Sequence, residues 1–261
     1  MNQRWRSRRA SYRPADPIRT SLYDVAEIQD DTTARMFVCE HHYSGTYPAA
    51  RFRAGLYRLG ELVGVAVFSH PCNNRVLTNV FRGLPVLKAM ELGRFVLLDE
   101  VPGNGETWFL ARAFELLRAV GVRGVVSFSD PVPRTDVHGR RIFPGHLGII
   151  YRAHNARYLG RGYARTLKLL PDGTVFSDRA MQKIRAGSKG WRYASEQLVA
   201  HGADPLHPNA DREVRHSWLR RWTSELTRPL RHPGNFRYAW ALDRRVDVPE
   251  GLPWPKERLV A

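Results

Sequence analysis

Between Glu106 and Val120, apolar side chains fall at Phe109, Leu110, Ala113, Phe114, Leu116 and Leu117, a broad stripe of helical period that Gly121 ends. The segments on either side decide how that helix can be used. Gly124–Phe128 is short and apolar, the pattern of a strand in the middle of a sheet, and Ala89–Leu97 reads as a strand before it. A strand, a helix and a strand within about 40 residues, with short connections, make a right-handed βαβ crossover. The chain is therefore expected in the mixed α/β class.

The rest of the chain is read around that unit. A helix is predicted over Asp30–His41, with Asp30 or Asp31 as its start signal. Phe52–Arg58 and Leu62–Ser69 read as strands joined around Gly60–Glu61, and Pro71–Pro85 as a loop. A second helix is expected over His146–Asn155, after the Arg-bearing loop Pro131–Pro144. Ala164–Leu170 and Thr174–Phe176 pair across the turn Pro171–Asp172–Gly173. Helices follow at Asp178–Ala186, Trp191–His201 and Asp211–Thr227, where Trp218, Trp222 and Leu226 form a packing stripe. Alternating Phe236, Tyr238, Trp240 and Leu242 make a late strand. There is no internal repeat and no long linker. The expected organisation is a basic, poorly ordered arm over residues 1–20, a core over 21–170, and a helical and strand-bearing C-terminal extension over 171–261 packed on it.

Charge narrows the partners. The 261 residues carry 41 basic and 25 acidic side chains, a net +16, and only five of the basic residues are lysines. A surplus of that size favours polyanions, through neutralised phosphates and released counterions. Arg adds a planar fork that matches phosphates and guanine edges. No apolar run reaches the roughly 18–20 residues that cross a bilayer. The Arg-rich Met1–Arg13 is followed by no apolar segment, so no secretory signal is expected. Cys39 and Cys72 are too few to staple the chain, and no Cys/His pair has zinc spacing. A cytoplasmic location follows as the expectation.

Four segments collect chemistry where strand ends meet helix starts. Gly103–Asn104–Gly105–Glu106–Thr107 opens the long helix and can deliver backbone N–H groups to a phosphate, or simply cap the helix. It is not a G-x-x-x-x-G-K-[ST] loop, which disfavours a nucleotide triphosphatase. His42 and Tyr43, within His41–Gly45, can act as an acid/base pair or cap and pack a helix end. Asp130 ends a buried strand, where open α/β sheets place ligand groups, and can orient an amine or cap the next turn. Tyr151 is a site residue or a core aromatic. Glu91–Val96 is the strand that enters the crossover.

In order, HHYSG, ELGRFVL, NGETWFLARAFELL, VVSFSDP and GHLGIIYRAHN closely resemble the Mom family of phage DNA-modification proteins, a divergent branch of the GNAT acyltransferase superfamily, over His41–Gly160. The resemblance implies a GNAT-like central mixed sheet whose two parallel strands splay apart. It implies acetyl-CoA or a related CoA thioester, its pantetheine arm along Phe95, Val96 and Leu97 and its pyrophosphate on Gly103, Asn104, Gly105, Glu106 and Thr107. The usual loop signature of the superfamily is absent, and GNGET stands in its place. The implied activity installs a carbamoylmethyl group on adenine N6 of DNA and protects phage DNA from restriction. His42, Tyr43, Ser127, Asp130 and Tyr151 match the family's active-site positions, and Arg94 matches the Arg of its Glu-Leu-x-Arg strand. In this scheme Asp130, with His42, deprotonates the amine, Tyr151 protonates the thiolate, and Asn155 bonds the pantetheine amide.

Attack of N6 on acetyl-CoA gives N6-acetyladenine, whereas a carbamoylmethyl adduct needs a bond at the methyl carbon and a source of amide nitrogen. A redox metal such as iron is one way out, with His41, His42, Asp130 and His146 as candidate ligands. The Val132–Phe143 insertion, bearing Arg134, Arg140 and Arg141, departs from the family and is expected as a DNA-facing flap beside the site. Arg179, Lys183, Arg185, Lys189 and Arg192, interleaved with Trp191 and Tyr193, suit a nucleic-acid backbone or a solvated helix face. The leading expectation is a DNA adenine-modifying transferase. The alternatives are a GNAT N-acetyltransferase acting on a protein, RNA or small-molecule amine, and an idle DNA-binding module.

Overall fold

A computed structural model of the chain describes residues 4–6, 10–12, 14 and 16–255. In chain order its elements are β1 Arg4–Arg6, β2 Ala10–Tyr12, β3 Tyr23–Glu27, α1 Asp31–His41, β4 Ala50–Arg58, β5 Glu61–Ser69, α2 Arg75–Thr78, β6 Ala89–Leu97, α3 Gly105–Ala119 and β7 Gly124–Ser129. They continue with β8 Arg134–Thr135, β9 Arg141–Phe143, α4 Ile149–Ala153, β10 Arg157–Arg161, β11 Arg165–Leu169, β12 Val175–Phe176, α5 Asp178–Ala186, α6 Trp191–Val199, α7 Arg212–Leu226, β13 Arg228–His232 and β14 Phe236–Ala241. No helix among the described residues is long and apolar enough to cross a membrane.

The chain forms two compact units. The first comprises residues 1–131, 144–162 and 235–261, and the second residues 132–143 and 163–234. The boundaries expected from sequence, 20/21 and 170/171, cut across this division, because the chain leaves the first unit twice and returns. β14, expected within a C-terminal extension, lies inside the main sheet, where Phe236–Ala241 pairs residue by residue with Ser129–Gly124 of β7.

The first unit is built on a mixed seven-stranded sheet in the order β10-β14-β7-β6-β5-β4-β3. Every neighbouring pair is antiparallel except β6 and β7. The stripe read from the sequence packs α3 onto one face, with Phe109, Leu110, Ala113, Phe114 and Leu117 against Phe52, Leu56, Phe68 and Leu92. Each such side chain contributes roughly 1.5–3 kcal/mol on burial. Ala34 and Val38 of α1 pack against Val65 and Val67, whose alternation along β5 places α1 on the opposite face. Asp30 caps α1 through the amides of Thr32 and Thr33.

The parallel pair parts within its own length. Register runs from Ala89–Gly124 to Leu92–Ser127 and stops there. Beyond it β6 continues through Arg94–Leu97 with β5 alone, while Phe128 and Ser129 of β7 pair only with β14. This is the GNAT-like splayed sheet that the family resemblance implies.

Two expected elements are shorter or different. The helix anticipated over His146–Asn155 is confined to Ile149–Ala153, because Gly148 adopts φ 67° and starts it. A side chain there would collide with the Tyr238 hydroxyl. Pro71–Pro85 holds the short helix α2 rather than loop alone.

The arm expected to be disordered falls partly on residues 1–3, 7–9, 13 and 15, which lie outside the described residues. Its described part is a β1–β2 hairpin with a buried Arg4. The second unit has an antiparallel β12-β11-β13 sheet, a β8–β9 hairpin and helices α5–α7 around Phe176, Met181, Ile184, Leu198, Leu219 and Trp222. Trp218 and Leu226 flank that core, as the stripe along α7 predicts.

Candidate active site

The site begins where β6 and β7 separate. Ser127 sits at the last paired position, and its Oγ donates to the Leu92 carbonyl across the pair at 3.0 Å. The same Ser127 hydroxyl acts on the phenol of Tyr151, lowering its proton affinity against the effect of burial. α4 holds Tyr151 there because Gly148 turns the chain under Tyr238, whose hydroxyl donates to the Leu147 carbonyl at 3.0 Å. Burial raises the Tyr151 phenol well above the usual range, with the Ser127 hydrogen bond opposing. It is therefore a phenol, not a phenolate, at neutral pH.

A cleft of about 680 Å³, counting its open mouth, starts at this point. Its walls are the two strands after they part, Gly93–Leu97 of β6 and Phe128 of β7, with His41, His42 and Tyr43 from the end of α1 and His146, Ile150 and Tyr151 from α4 and its approach. Arg4 and Glu106 close its far end. The aromatic rings follow one another along it: His42–Tyr43 at 4.2 Å between centroids, Tyr43–His146 at 6.4 Å and His146–Tyr151 at 5.5 Å.

α1 ends at His42, where ψ opens to 138° and the chain turns into the cleft. The imidazole Nδ1 accepts the Ser44 backbone N–H at 3.1 Å and lies 2.9 Å from Ser44 Oγ. A nitrogen that accepts an amide proton carries none itself, so the neutral ring bears its proton on Nε2. His42 is thereby a hydrogen-bond donor in this arrangement, not the base expected from the sequence. Arg94 fixes the same loop: Nε donates to the Thr46 carbonyl at 2.8 Å and Nη2 to Thr46 Oγ1 at 2.7 Å.

Asp130 stands behind His146 rather than in the cleft wall. Its carbonyl accepts the His146 amide at 2.6 Å, and its charge raises the imidazole's proton affinity against a larger loss from burial, leaving His146 at about 4. His146 is neutral at pH 7.

The sequence reading placed Glu91 on the strand that enters the crossover but gave it no role in the site. Glu91 of β6 is half-buried, and the loss of solvation pushes its carboxyl up to about 7, with Arg94 opposing. A carboxylate between the apolar Met90 and Leu92 was the available signal. Arg4 was also missed, and no periodicity in the arm pointed to it.

The mouth of α3 differs from expectation. The Gly103 amide donates to the Asp16 carbonyl, and Ile18 donates back to Gly103 at 2.8 Å. The Gly105 amide is used by Pro102 at 3.2 Å. A Cβ at Gly103 would lie 3.0 Å from the Asp16 oxygen and one at Gly105 2.6 Å from Val101, so the chain's own packing explains both glycines. Arg4 donates Nε to Glu106 Oε1 at 2.8 Å and Nη1 to the carbonyls of Leu98 and Val101. Asn104, at φ 63°, leads into the helix, and Thr107 Oγ1 donates to its carbonyl at 3.1 Å. The residues along Phe95–Leu97 fit an extended apolar-amide arm. The cradle at Gly103–Thr107 is filled by the chain itself and does not fit a diphosphate as it stands.

Two further expectations separate from the cleft, and a third falls in the second unit. Asn155 is exposed past the end of α4 at φ 57° and does not line it. His41, His42, Asp130 and His146 form no metal site, for no group of three or more His, Cys, Asp or Glu among the described residues is placed to hold an ion. His42 Nδ1 is taken by Ser44, and Asp130 stands behind His146. The expected flap is the β8–β9 hairpin of the second unit, where Arg140 pairs with Asp136 at 3.0 Å and Arg134 lies over the Phe143 ring at 4.1 Å.

The model of the Mom protein family matches residues 23–248. The chain belongs to the Mom family. This Mom-family chain is 25% identical over 189 residues to the methylcarbamoylase mom of Escherichia phage Mu, covering 69% of this chain and 73% of that protein. Two solved acetyltransferases are similar to it. A Bacillus subtilis acetyltransferase in complex with CoA is 9% identical and covers 84% of this chain and 97% of its own, at a TM-score of 0.34. A Staphylococcus aureus N-acetyltransferase is 11% identical and covers 74% and 68%, at 0.29.

Proposed function

We propose that this chain is a transferase that modifies the exocyclic N6 amine of adenine in DNA, with a CoA thioester as donor. Membership of the Mom family, and a relative named methylcarbamoylase, support the reading. The observation that carries it is Tyr151, a phenol at neutral pH, lining the cleft that opens where β6 and β7 part, together with His42, Tyr43 and His146.

A thioester donor supplies an acyl group activated for transfer to an amine. The side chains divide the remaining work. Tyr151 keeps its proton at neutral pH and is placed to give it to a leaving sulfur. His42, with its proton on Nε2, donates a hydrogen bond to a carbonyl oxygen that gains negative charge. Neutral His146, with Asp130 behind it, accepts the proton that the amine sheds. Arg94 holds the Ser44–Thr46 loop and so positions His42. A base inside a duplex hides its amine, so the adenine must leave the stack to reach the cleft. The Arg134, Arg140 and Arg141 hairpin contacts DNA phosphates in this reading.

The test is mass spectrometry of nucleosides from DNA exposed to the expressed protein, with Tyr151→Phe as control. A mass-shifted deoxyadenosine that Tyr151→Phe reduces by about 10²-fold or more supports the reading, and the mass itself separates an acetyl from a carbamoylmethyl adduct. Unmodified DNA alongside an acetylated protein or small amine would replace it with an ordinary N-acetyltransferase.

A further inference from the structure

We propose that the second unit carries a docking groove for the phosphate backbone of double-stranded DNA, formed between α5 and α7 by Arg185, Arg212, Arg215 and His216. The proposal rests on DNA as the substrate and adds where the duplex is held.

α5 contributes Gln182, Arg185 and Ala186 to the groove, and α7 contributes Arg212, Arg215 and His216. In each helix these are positions i, i+3 and i+4, one continuous face. The space between them amounts to about 810 Å³, counting its open side, and no carboxylate lines it.

Arg215 is held rigidly. Its guanidinium lies over Gly187, where α5 ends, so that a Cβ there would sit 3.0 Å from Cζ, and its Nη1 donates to the Ala210 carbonyl at 2.5 Å. Its Nε is buried and has no hydrogen-bond partner among the described residues. Arg185 and Arg212 are exposed, and neither forms an ion pair among the described residues. The nearest carboxylates along the chain are turned to other uses. Asp211 caps α7 by accepting the Val214 amide at 2.8 Å, and Glu213 lies one position round from the groove face.

Three guanidinium groups gathered in a groove that no carboxylate lines repel one another, and a polyanion relieves that repulsion. Arg forks match phosphate oxygens bidentately, and a duplex offers phosphates at regular spacing whatever its sequence. The groove therefore anchors DNA without reading it.

The full-length chain tests this by fluorescence anisotropy on a labelled 20-base-pair duplex between 50 and 200 mM salt. Arg185→Gln/Arg212→Gln should bind about tenfold more weakly at the midpoint of that range, with a log–log salt slope shallower by about two. The charge-matched Arg165→Gln/Arg231→Gln, on exposed positions of β11 and β13, should stay within about twofold of the parent. Equal losses in the two pairs, an unchanged groove variant, or tighter binding of a matched RNA or an acidic polypeptide would each overturn the groove. Nucleoside mass spectrometry on the same proteins keeps the two readings apart. Modified DNA with an unaffected groove variant removes only the groove, whereas groove-dependent binding without modification removes only the proposed activity.

Discussion

Arg4 and Glu106 lie 102 residues apart and meet in a buried ion pair at the first turn of α3, Nε to Oε1 at 2.8 Å, both side chains under a tenth exposed. Glu106 Oε2 is buried without a hydrogen-bond partner among the described residues, so the carboxylate depends on Arg4 for its neutralisation. Removing one partner of such a pair strands a buried charge and costs about 3–5 kcal/mol, whereas replacing both is far milder. Arg4→Met should therefore lower stability by that amount in urea unfolding, and Arg4→Met/Glu106→Gln should recover most of it. Equal costs for the single and double variants would show the pair to be incidental.

The same pair bears on the donor. A diphosphate that seats on the amides opening α3 must share that place with the Glu106 carboxylate, which repels it. Arg4→Met/Glu106→Gln removes one positive and one negative charge and leaves the Gly103 and Gly105 amides bonded to Asp16 and Pro102, so its CoA affinity by calorimetry should stay within about twofold of the parent. A gain of about tenfold would place the diphosphate at the start of α3 after all.

How much of this was legible follows from range along the chain. β6, α3 and β7 were readable because each carries its own periodicity and the three are consecutive. Tyr151, Ser127 and Arg94 were readable as parts of contiguous motifs. The alternation Phe236, Tyr238, Trp240 announced a strand, but its partner Val125–Ser129 lies more than 100 residues earlier, and nothing local names it. Arg4 sits in an aperiodic arm whose arginines look alike in sequence, and only the fold distinguishes the one that meets Glu106. The Gly103 and Gly105 pair looked like a phosphate loop because close approach of any backbone selects glycine, and here the approaching groups are Asp16 and Val101.

Glu91 and His146 pull stability in opposite directions with pH. Burial pushes Glu91 up from 4.5 to about 7, so between those values the folded chain holds a proton that the unfolded chain has lost, and stability falls as pH rises. Burial pushes His146 down from 6.5 to about 4, so there the unfolded chain holds the extra proton, and stability rises with pH. Relative to the parent, Glu91→Gln should gain about 3 kcal/mol between pH 4 and pH 8, and His146→Gln should lose about as much. Denaturant midpoints across that range check both signs, and parallel curves for parent and variants would rule out the shifts.

Arg94 reaches the Ser44–Thr46 loop through a fork that lysine cannot reproduce, one nitrogen on the Thr46 carbonyl and another on Thr46 Oγ1. Thr46 Oγ1 in turn lies 3.2 Å from Ser44 Oγ, which lies 2.9 Å from His42 Nδ1. Arg94→Lys keeps the charge beside the cleft but gives up at least one of those charge-assisted bonds, a loss of about 1.5–3 kcal/mol in holding the loop. If Arg94 positions His42, turnover of the modification reaction should drop about tenfold or more in Arg94→Lys, while Thr46→Val, which removes only the hydroxyl, should show an intermediate loss. Were the charge alone responsible, Arg94→Lys would retain full turnover and Arg94→Gln would abolish it.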